Sequence, residues 1–193
     1  MKLKYHYLCL ISILSLGLLT ACSKAPKADL PANLQIIEDF DATESWTSFA
    51  APNSSMKITT DEKEKYNGNS SMAMSFDIKD WGGVGSSFKD KKQWNPSDSL
   101  FFVLKGDSSG KTLMVEITDN GGERFATAFP VNFTGWKAFT IPFKDFKRRD
   151  DWQPDNVPND GLTLTAVEGL SFSPKDKSNG TWNVDTIGII QGK

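Results

Sequence analysis

The chain has 193 residues, with 22 Lys and Arg against 24 Asp and Glu, and His6 is its single histidine. Loss of residues 1–21 as a signal peptide would remove His6 and two lysines and leave 172 residues with a net charge of −4. One domain is predicted, and its mildly acidic charge without basic clusters argues against nucleic acid as a partner. Without histidine, Ser-His-Asp and Cys-His catalysis and His-ligated zinc sites are excluded as well.

The N-terminus predicts a secretion signal over residues 1–21. Lys2 and Lys4 precede the apolar run Leu8–Leu19, which is too short to span a membrane. The run ends in Leu19-Thr20-Ala21-Cys22, which resembles the lipobox of bacterial lipoproteins. The resemblance implies that Cys22 becomes the lipidated N-terminus. The alternative is an ordinary signal peptide that happens to be followed by a cysteine.

Residues 22–33 predict a flexible tether that carries the lipid, because they are rich in Ala, Pro and Lys and lack periodicity. Cys9 lies in the leader and Cys22 carries the lipid, so the mature domain has no thiol and no disulfide. Ser23, and not Asp, follows Cys22. We therefore expect a bacterial cell-envelope location, at the outer membrane in a Gram-negative host, with the membrane contacted through the lipid.

Residues 34–192 predict one all-β domain. Leu113, Val115 and Ile117 alternate with polar residues, and Leu100–Leu104 is a continuous apolar run typical of a strand buried on both faces. The same alternation recurs in three further segments: Met72–Ile78, Phe125–Phe133 and Phe139–Phe143. Turn formers separate these runs, and no long amphipathic helix is predicted. Eight to ten short strands predict an antiparallel β-sandwich of the jelly-roll kind.

Three segments carry a family resemblance: Ile36–Asp41 with Trp46, Gly135–Pro154, and Leu162–Asp185. In order and spacing they resemble the family 11 carbohydrate-binding modules, which have a galactose-binding-like jelly roll, over residues 36–190. The outer segments are shared with more distant domains like complex I intermediate-associated protein 30. The resemblance implies a groove in a concave sheet that binds one chain of mixed-linked β-1,3-1,4-glucan or a cellulosic oligosaccharide.

The resemblance implies that Arg149, Asp151 and Trp152 contact the sugar. Trp152 stands where the family has Tyr, which keeps an aromatic ring for the apolar C–H face of a pyranose, while Arg and Asp suit its hydroxyl rim. The alternative is a solvated run of charges over Arg148–Asp151 with one packed aromatic residue.

Three further positions depart from the family pattern of stacking tyrosines. Phe49 occupies one of them and keeps a ring, Pro174 occupies another, and Asp80 occupies the third. Trp81 follows Asp80 and is the candidate replacement for the missing ring, although a shift of one residue along a strand reverses the side chain's face. Phe49 and Trp81 complete the predicted carbohydrate-binding residues.

The other tryptophans are predicted to be core residues, because buried Trp is common in β-sandwiches: Trp46, Trp94, Trp136 and Trp182.

The resemblance also implies structural calcium. Asp41 and Asp185 are the predicted side-chain ligands, with Asp39 near them and carbonyls from the turn Asn67–Asn69. Hard oxygen ligands suit calcium, and the mature chain offers no softer ligand. The alternative is edge-strand charge that only opposes aggregation.

We expect no catalysis, because the modules that the chain resembles are noncatalytic attachments to glycosidases. Glu116 and Glu123 flank one hairpin and are the one carboxylate pair considered for hydrolysis. The predicted function is a lipid-anchored β-glucan-binding protein that acts in glucan catabolism beside secreted or surface glycoside hydrolases. The rival is a protein-interaction or complex-assembly module that keeps the fold and has lost sugar binding.

Overall fold

The computed structural model describes residues 29–192. The predicted signal peptide over residues 1–21 and the predicted lipidation site Cys22 lie outside the described residues, as do residues 23–28 of the predicted tether. Within residues 29–192, no helix has the length and apolar character needed to cross a membrane.

Residues 29–192 form twelve strands separated by turns, two more than the upper limit expected from the sequence. The strands are β1 Leu34–Glu38, β2 Thr47–Ala50, β3 Ser55–Asp61, β4 Ser71–Asp77, β5 Gly82–Lys92, β6 Ser99–Asp107, β7 Thr112–Thr118, β8 Arg124–Pro130, β9 Thr134–Pro142, β10 Lys147–Arg148, β11 Val167–Pro174 and β12 Asn179–Ile190. Two short 3-10 helices, Phe143–Asp145 and Leu164–Ala166, precede β10 and β11.

The strands form two six-stranded antiparallel sheets. Sheet I has the order β3-β4-β12-β6-β9, and β1 also pairs with β12; sheet II has the order β10-β8-β7-β11-β5-β2. The long strand β12 holds sheet I together, because it pairs with β4, β6 and β1 along its length. The predicted all-β antiparallel sandwich is confirmed.

The core lies between the sheets and is filled from alternate strand positions. Phe102 of sheet I stacks on Phe139 at 5.1 Å between ring centroids and meets Phe172 of sheet II edge-on at 5.3 Å. On sheet II, Val84, Val115 and Phe172 are fully buried and point inward. Since side chains alternate along a strand, their neighbours in sequence point to the outer face of sheet II.

The outer face of sheet I is covered by residues 62–70, the connection between β3 and β4. Backbone N–H groups of Tyr66 and Asn67 donate to Asp185 Oδ2 of β12 at 2.6 and 3.0 Å. The Tyr66 ring lies 6.1 Å from the Trp136 ring of β9. Asp185 is fully buried beneath this connection, so one outer face of the sandwich is closed by the chain itself.

The structure confirms three of the four tryptophan predictions. Three of the four predicted core tryptophans are buried: Trp46, Trp94 and Trp182. The prediction for Trp136 is wrong, because its side chain is only half-buried and packs on Tyr66 outside the sandwich. Strand alternation explains the error: Phe139 of the same strand packs inward, so position 136 falls on the outer face.

Candidate functional site

The outer face of sheet II has a low floor made mainly of small residues. One row of neighbours across the strands contains Phe49, Gly83, Ser173, Met114 and Ala128. The next row contains Thr47, Gly85, Ser171, Glu116 and Ala126. Glycine, serine and alanine dominate both rows, so the larger side chains at the margins stand above the floor.

Phe49 rests on the glycine part of this floor. A Cβ built on Gly83 would lie 2.9 Å from Phe49 Cζ, and one on Gly85 would lie 3.4 Å from Phe49 Cε1. Real Cβ atoms essentially never come as close as 2.9 Å, so Gly83 is what allows the ring to lie this close to β5. The Phe49 side chain remains 43% exposed, which leaves part of the ring open to a ligand.

Trp152 stands at the opposite margin of the same face, on two arginine side chains. The guanidinium carbons of Arg149 and Arg124 lie 5.6 and 5.8 Å from the Trp152 ring centroid. These are cation–π distances, which favour one orientation of the indole. Trp152 is nevertheless 51% exposed, so the ring combines a supported position with open apolar surface.

Glu116 fixes both arginines from below. Its Oε1 accepts from Arg124 Nη1 at 3.0 Å and its Oε2 accepts from Arg149 Nη1 at 2.6 Å. Ser171 Oγ donates to Oε1 at 3.3 Å. Glu116 is only 4% exposed, and the paired guanidiniums supply the countercharge that a buried carboxylate requires.

Asp151 and Lys175 continue the network toward solvent. Arg149 donates to Asp151 through Nε at 2.9 Å and through Nη2 at 3.1 Å, and Lys175 Nζ donates to Asp151 at 2.8 Å. The Arg149 hydrogen bonds hold the pKa of Asp151 well below its usual range. Burial lowers the pKa of Arg149, but its bonds to Asp151 and Glu116 outweigh that effect and raise the pKa. Both groups therefore stay charged at neutral pH.

The structure brings three of the predicted sugar-binding residues into direct contact. Arg149, Asp151 and Trp152 form one cluster, and Phe49 lies on the same face at the far edge strand. Trp81 is 53% exposed and immediately precedes β5, where its carbonyl accepts the N–H of the residue after β2. Residues 29–192 contain four exposed large apolar side chains. Three of them, Phe49, Trp81 and Trp152, belong to the predicted sugar-binding residues.

Sequence reasoning missed Arg124 and Lys175 and considered Glu116 only as a catalytic acid. Strand alternation could have identified Arg124. In the β7–β8 hairpin, Arg124 pairs with Thr118, so its side chain lies on the same outer face as the side chain of Glu116, two residues before Thr118. Lys175 comes from the turn after β11, where sequence alone sets no direction.

Pro174 and Asp80 stand at two positions where the family pattern has tyrosine, and they lie in different environments. Pro174 is buried and pairs with Leu113, a fully buried core residue, so its position contributes no ring to the outer face. Asp80 is exposed in the turn before β5.

The predicted calcium ligands Asp41 and Asp185 accept hydrogen bonds from neighbouring donors. Asp41 accepts the backbone and side-chain N–H groups of Asn69, both at 2.8 Å. Asp185 accepts two backbone N–H groups, and Thr186 Oγ1 donates to its Oδ1 at 3.0 Å. Burial raises the pKa of Asp185, and the N–H groups of Asn67 and Tyr66 partly oppose that rise. Each carboxylate thus faces hydrogen-bond donors where a cation needs oxygen ligands, and calcium at this place stays a prediction.

In residues 29–192, no three Asp, Glu, His or Cys side chains come together as a metal-binding group. Two clefts, of about 400 and 240 Å³, lie away from the exposed rings. The first lies between Gln35–Ile37 and Lys91–Trp94, and the second lies beside Trp46 and β5.

A sequence model of the carbohydrate binding domain (family 11) matches residues 23–192. The chain belongs to this family. The fold is similar to the family 11 carbohydrate-binding module from Clostridium thermocellum, solved in complex with a β-1,3-1,4-mixed-linked tetrasaccharide. The TM-score is 0.73 at 21% identity, over 82% of this chain and 96% of that chain. The predicted family resemblance is confirmed.

Two curated relatives of this family 11 chain are much longer proteins. One is a mannan endo-1,4-beta-mannosidase of Bifidobacterium adolescentis, 25% identical over 127 residues, which are 63% of this chain and 12% of the relative. The other is endoglucanase H of Acetivibrio thermocellus, 26% identical over 166 residues, which are 81% of this chain and 18% of the relative. The chain thus spans less than a fifth of either relative.

Proposed function

We propose that this family 11 chain is a lipid-anchored, noncatalytic protein that binds single β-glucan chains across the outer face of sheet II. The ligand class is mixed-linked β-1,3-1,4-glucan or cellulosic oligosaccharide. Capture of such chains at the cell surface would supply secreted or surface glycoside hydrolases with substrate during glucan catabolism.

The supported but exposed ring of Trp152 carries this proposal. A half-exposed indole keeps apolar surface in contact with water, which is unfavourable, and a pyranose C–H face would cover that surface. The two guanidiniums beneath the ring reduce its freedom before binding, so less conformational entropy is lost when the sugar arrives.

The charged network beside the ring supplies partners for hydroxyl groups. Asp151 is 45% exposed and Lys175 is 39% exposed, so both present polar atoms to solvent next to Trp152. Charged donors and acceptors make stronger hydrogen bonds than neutral ones. Stacking together with a few such bonds, on an open surface, corresponds to dissociation constants between about 1 mM and 1 μM.

The positions of Glu116 and Glu123 support a noncatalytic role. Glu116 lies on the outer face of sheet II and is held by two arginines. Glu123 is fully buried and accepts from Arg148, which pairs with the core residue Phe125. A glycosidase places two carboxylates on either side of one substrate bond, whereas these two lie on different sides of a sheet.

Affinity electrophoresis tests sugar binding. The full chain, purified in mild detergent, is run in native gels that contain barley β-glucan, a soluble cellulose derivative, laminarin or no sugar. We expect retardation in the first two gels, and loss of at least about tenfold in affinity, roughly 1.4 kcal/mol, for Trp152→Ala. Ile36→Ala is the matched control, because Ile36 is 45% exposed on β1 of the other sheet.

The gels also distinguish glucan binding from the rival function, protein interaction. Retention of Trp152→Ala equal to wild type would place the sugar elsewhere. Unchanged mobility of wild type in every sugar gel would contradict glucan binding and favour the rival protein-interaction module.

Lipid anchoring is tested at Cys22, which lies outside the described residues. We expect the wild-type protein, expressed in a bacterium, to partition into the detergent phase of Triton X-114 and Cys22→Ser to move to the aqueous phase. Equal partition of the two proteins would contradict lipidation.

A further inference from the structure

The ion-pair network on the outer face of sheet II combines three cations with two carboxylates. The cations are Arg124, Arg149 and Lys175, and the carboxylates are Glu116 and Asp151. Direct ion pairs of 2.6 to 3.0 Å join all five groups. One positive charge of the network is therefore left without a matching carboxylate.

Every carboxylate oxygen in this network already accepts a hydrogen bond. Glu116 accepts from Arg124 with one oxygen and from Arg149 with the other. Both oxygens of Asp151 accept from Arg149, and one of them also accepts from Lys175. The network therefore has little acceptor capacity left for a ligand.

The cations, in contrast, keep donors that no group within residues 29–192 engages. An ammonium has three N–H donors and a guanidinium has five. Lys175 Nζ makes one hydrogen bond, to Asp151, and Arg124 donates side-chain bonds through Nη1 alone. Both side chains are partly exposed. The network thus offers a ligand mainly hydrogen-bond donors.

Two further acids, Asp150 and Asp176, are neighbours of the network along the chain. Asp176 Oδ2 accepts the backbone N–H of Thr112 at the start of β7. Asp150 is exposed and forms no ion pair with the three cations among the described residues. Water and salt screen charges that do not touch, whereas a ligand group in direct contact with Lys175 would form a charge-assisted hydrogen bond.

We propose that this face prefers a β-linked glucan whose units carry carboxylates, as glucuronate does, over the neutral chain. The inference rests on the proposed glucan binding and narrows its ligand class. The Arg149 guanidinium carbon lies 5.6 Å from the Trp152 ring centroid, so a pyranose stacked on that ring has its substituents near the network. A carboxylate supplies acceptors alone and one negative charge, which matches both the unused donors and the unmatched positive charge.

Titration calorimetry with two matched oligosaccharides tests the preference. The full chain in mild detergent is titrated with cellohexaose and with the same oligosaccharide oxidised at C6 to carboxylates. At about 20 mM NaCl we expect wild type to bind the carboxylated form about two- to fivefold more tightly, the range of an exposed charge pair. The preference should shrink at about 0.5 M NaCl. General attraction cannot produce it, because the whole chain has a net charge of −2.

Variants of one lysine locate the preference. Lys175→Gln removes the unmatched charge and should bind both oligosaccharides equally, whereas Lys175→Arg should keep the preference. Lys57→Gln is the matched control, because Lys57 is exposed on β3 of sheet I.

The outcomes separate this inference from glucan binding itself. Equal wild-type affinities for the two oligosaccharides would overturn the inference and leave glucan binding intact. Absence of binding to either one would contradict both. A preference that survives in Lys175→Gln, or that disappears in Lys57→Gln, also overturns the inference, because the responsible charge would then lie elsewhere.

Discussion

The two outer faces of this sandwich begin from the same antiparallel architecture and end in opposite states. On sheet I, residues 62–70 cover the strands, Asp185 is fully buried, and the aromatic ring of Trp136 packs on the chain itself. On sheet II, Phe49 and Trp152 stay about half exposed above a floor of small side chains. A ring that the chain already covers has a structural role, whereas a supported ring left open is available to a ligand.

The contrast extends to how each face treats its charges. Asp185 on sheet I is satisfied by backbone N–H groups, which hold a loop in place. Glu116 on sheet II is satisfied by Arg124 and Arg149, which then support Trp152. Both carboxylates are buried, but one holds a covering loop in place and the other supports the proposed binding surface.

Removal of the Asp185 carboxylate should have the largest effect, and on stability alone. Asp185→Ala leaves the N–H groups of Tyr66 and Asn67 without their acceptor, so we expect the free energy of unfolding to fall by about 3 kcal/mol. Urea denaturation measures the fall, and affinity electrophoresis should show unchanged glucan binding. Asp185→Asn keeps an acceptor oxygen and should lose much less. A loss of glucan binding in folded Asp185→Ala would contradict the separation of the two faces.

Much of this division was predictable from the sequence, and the exceptions have physical causes. The family resemblance pointed to Arg149, Asp151 and Trp152, and the structure brings them into one cluster. The position of Trp136 was mispredicted, since a tryptophan beside a glycine shows nothing about which face its strand buries. The support from Glu116 depends on the pairing of β7 with β8 and on the return of the chain at β10. Such contacts arise only when distant strands come together.

Removal of the Glu116 carboxylate should weaken both the fold and the proposed sugar site. Glu116→Leu leaves two partly exposed guanidiniums without their shared partner, so we expect a loss of about 2 kcal/mol in unfolding free energy. Without fixed arginines the Trp152 ring loses its orientation, and glucan affinity should fall about tenfold. Titration calorimetry with a mixed-linked oligosaccharide measures the affinity. Glu116→Gln retains an acceptor and should fall between Leu and wild type; full affinity in Glu116→Leu would show that the arginines need no support.

A methyl group at position 83 of β5 should displace the Phe49 ring, which lies at the other edge of sheet II from Trp152. Gly83→Ala places Cβ against Ser173 Oγ and 2.9 Å from both the Phe172 carbonyl oxygen and Phe49 Cζ, so the Phe49 ring and its neighbours must move, at a cost of about 1 to 3 kcal/mol in stability. We expect a severalfold loss of glucan affinity, measured by the same calorimetry. Gly85→Ala is the matched control, because its Cβ would lie 3.4 Å from the ring and 3.3 Å from the nearest carbonyl oxygen. Equal affinities of the two variants would remove Phe49 from the binding surface.

The smallest expected effect is the loss of stability in acid when Asp151, which is bonded to Arg149, becomes protonated. The Arg149 hydrogen bonds hold the pKa of Asp151 below the value of about 3.9 for an unfolded aspartate. Its stabilising contribution is therefore complete above that unfolded value and is lost as pH falls toward the folded pKa, because the unfolded chain takes up the proton first. Solvent screening limits this contribution to less than about 1 kcal/mol. Urea denaturation of wild type and Asp151→Asn between pH 6 and pH 3 isolates it: the stability difference should shrink below about pH 4. A difference that stays constant over this range would show that Asp151 is not held by Arg149 in solution.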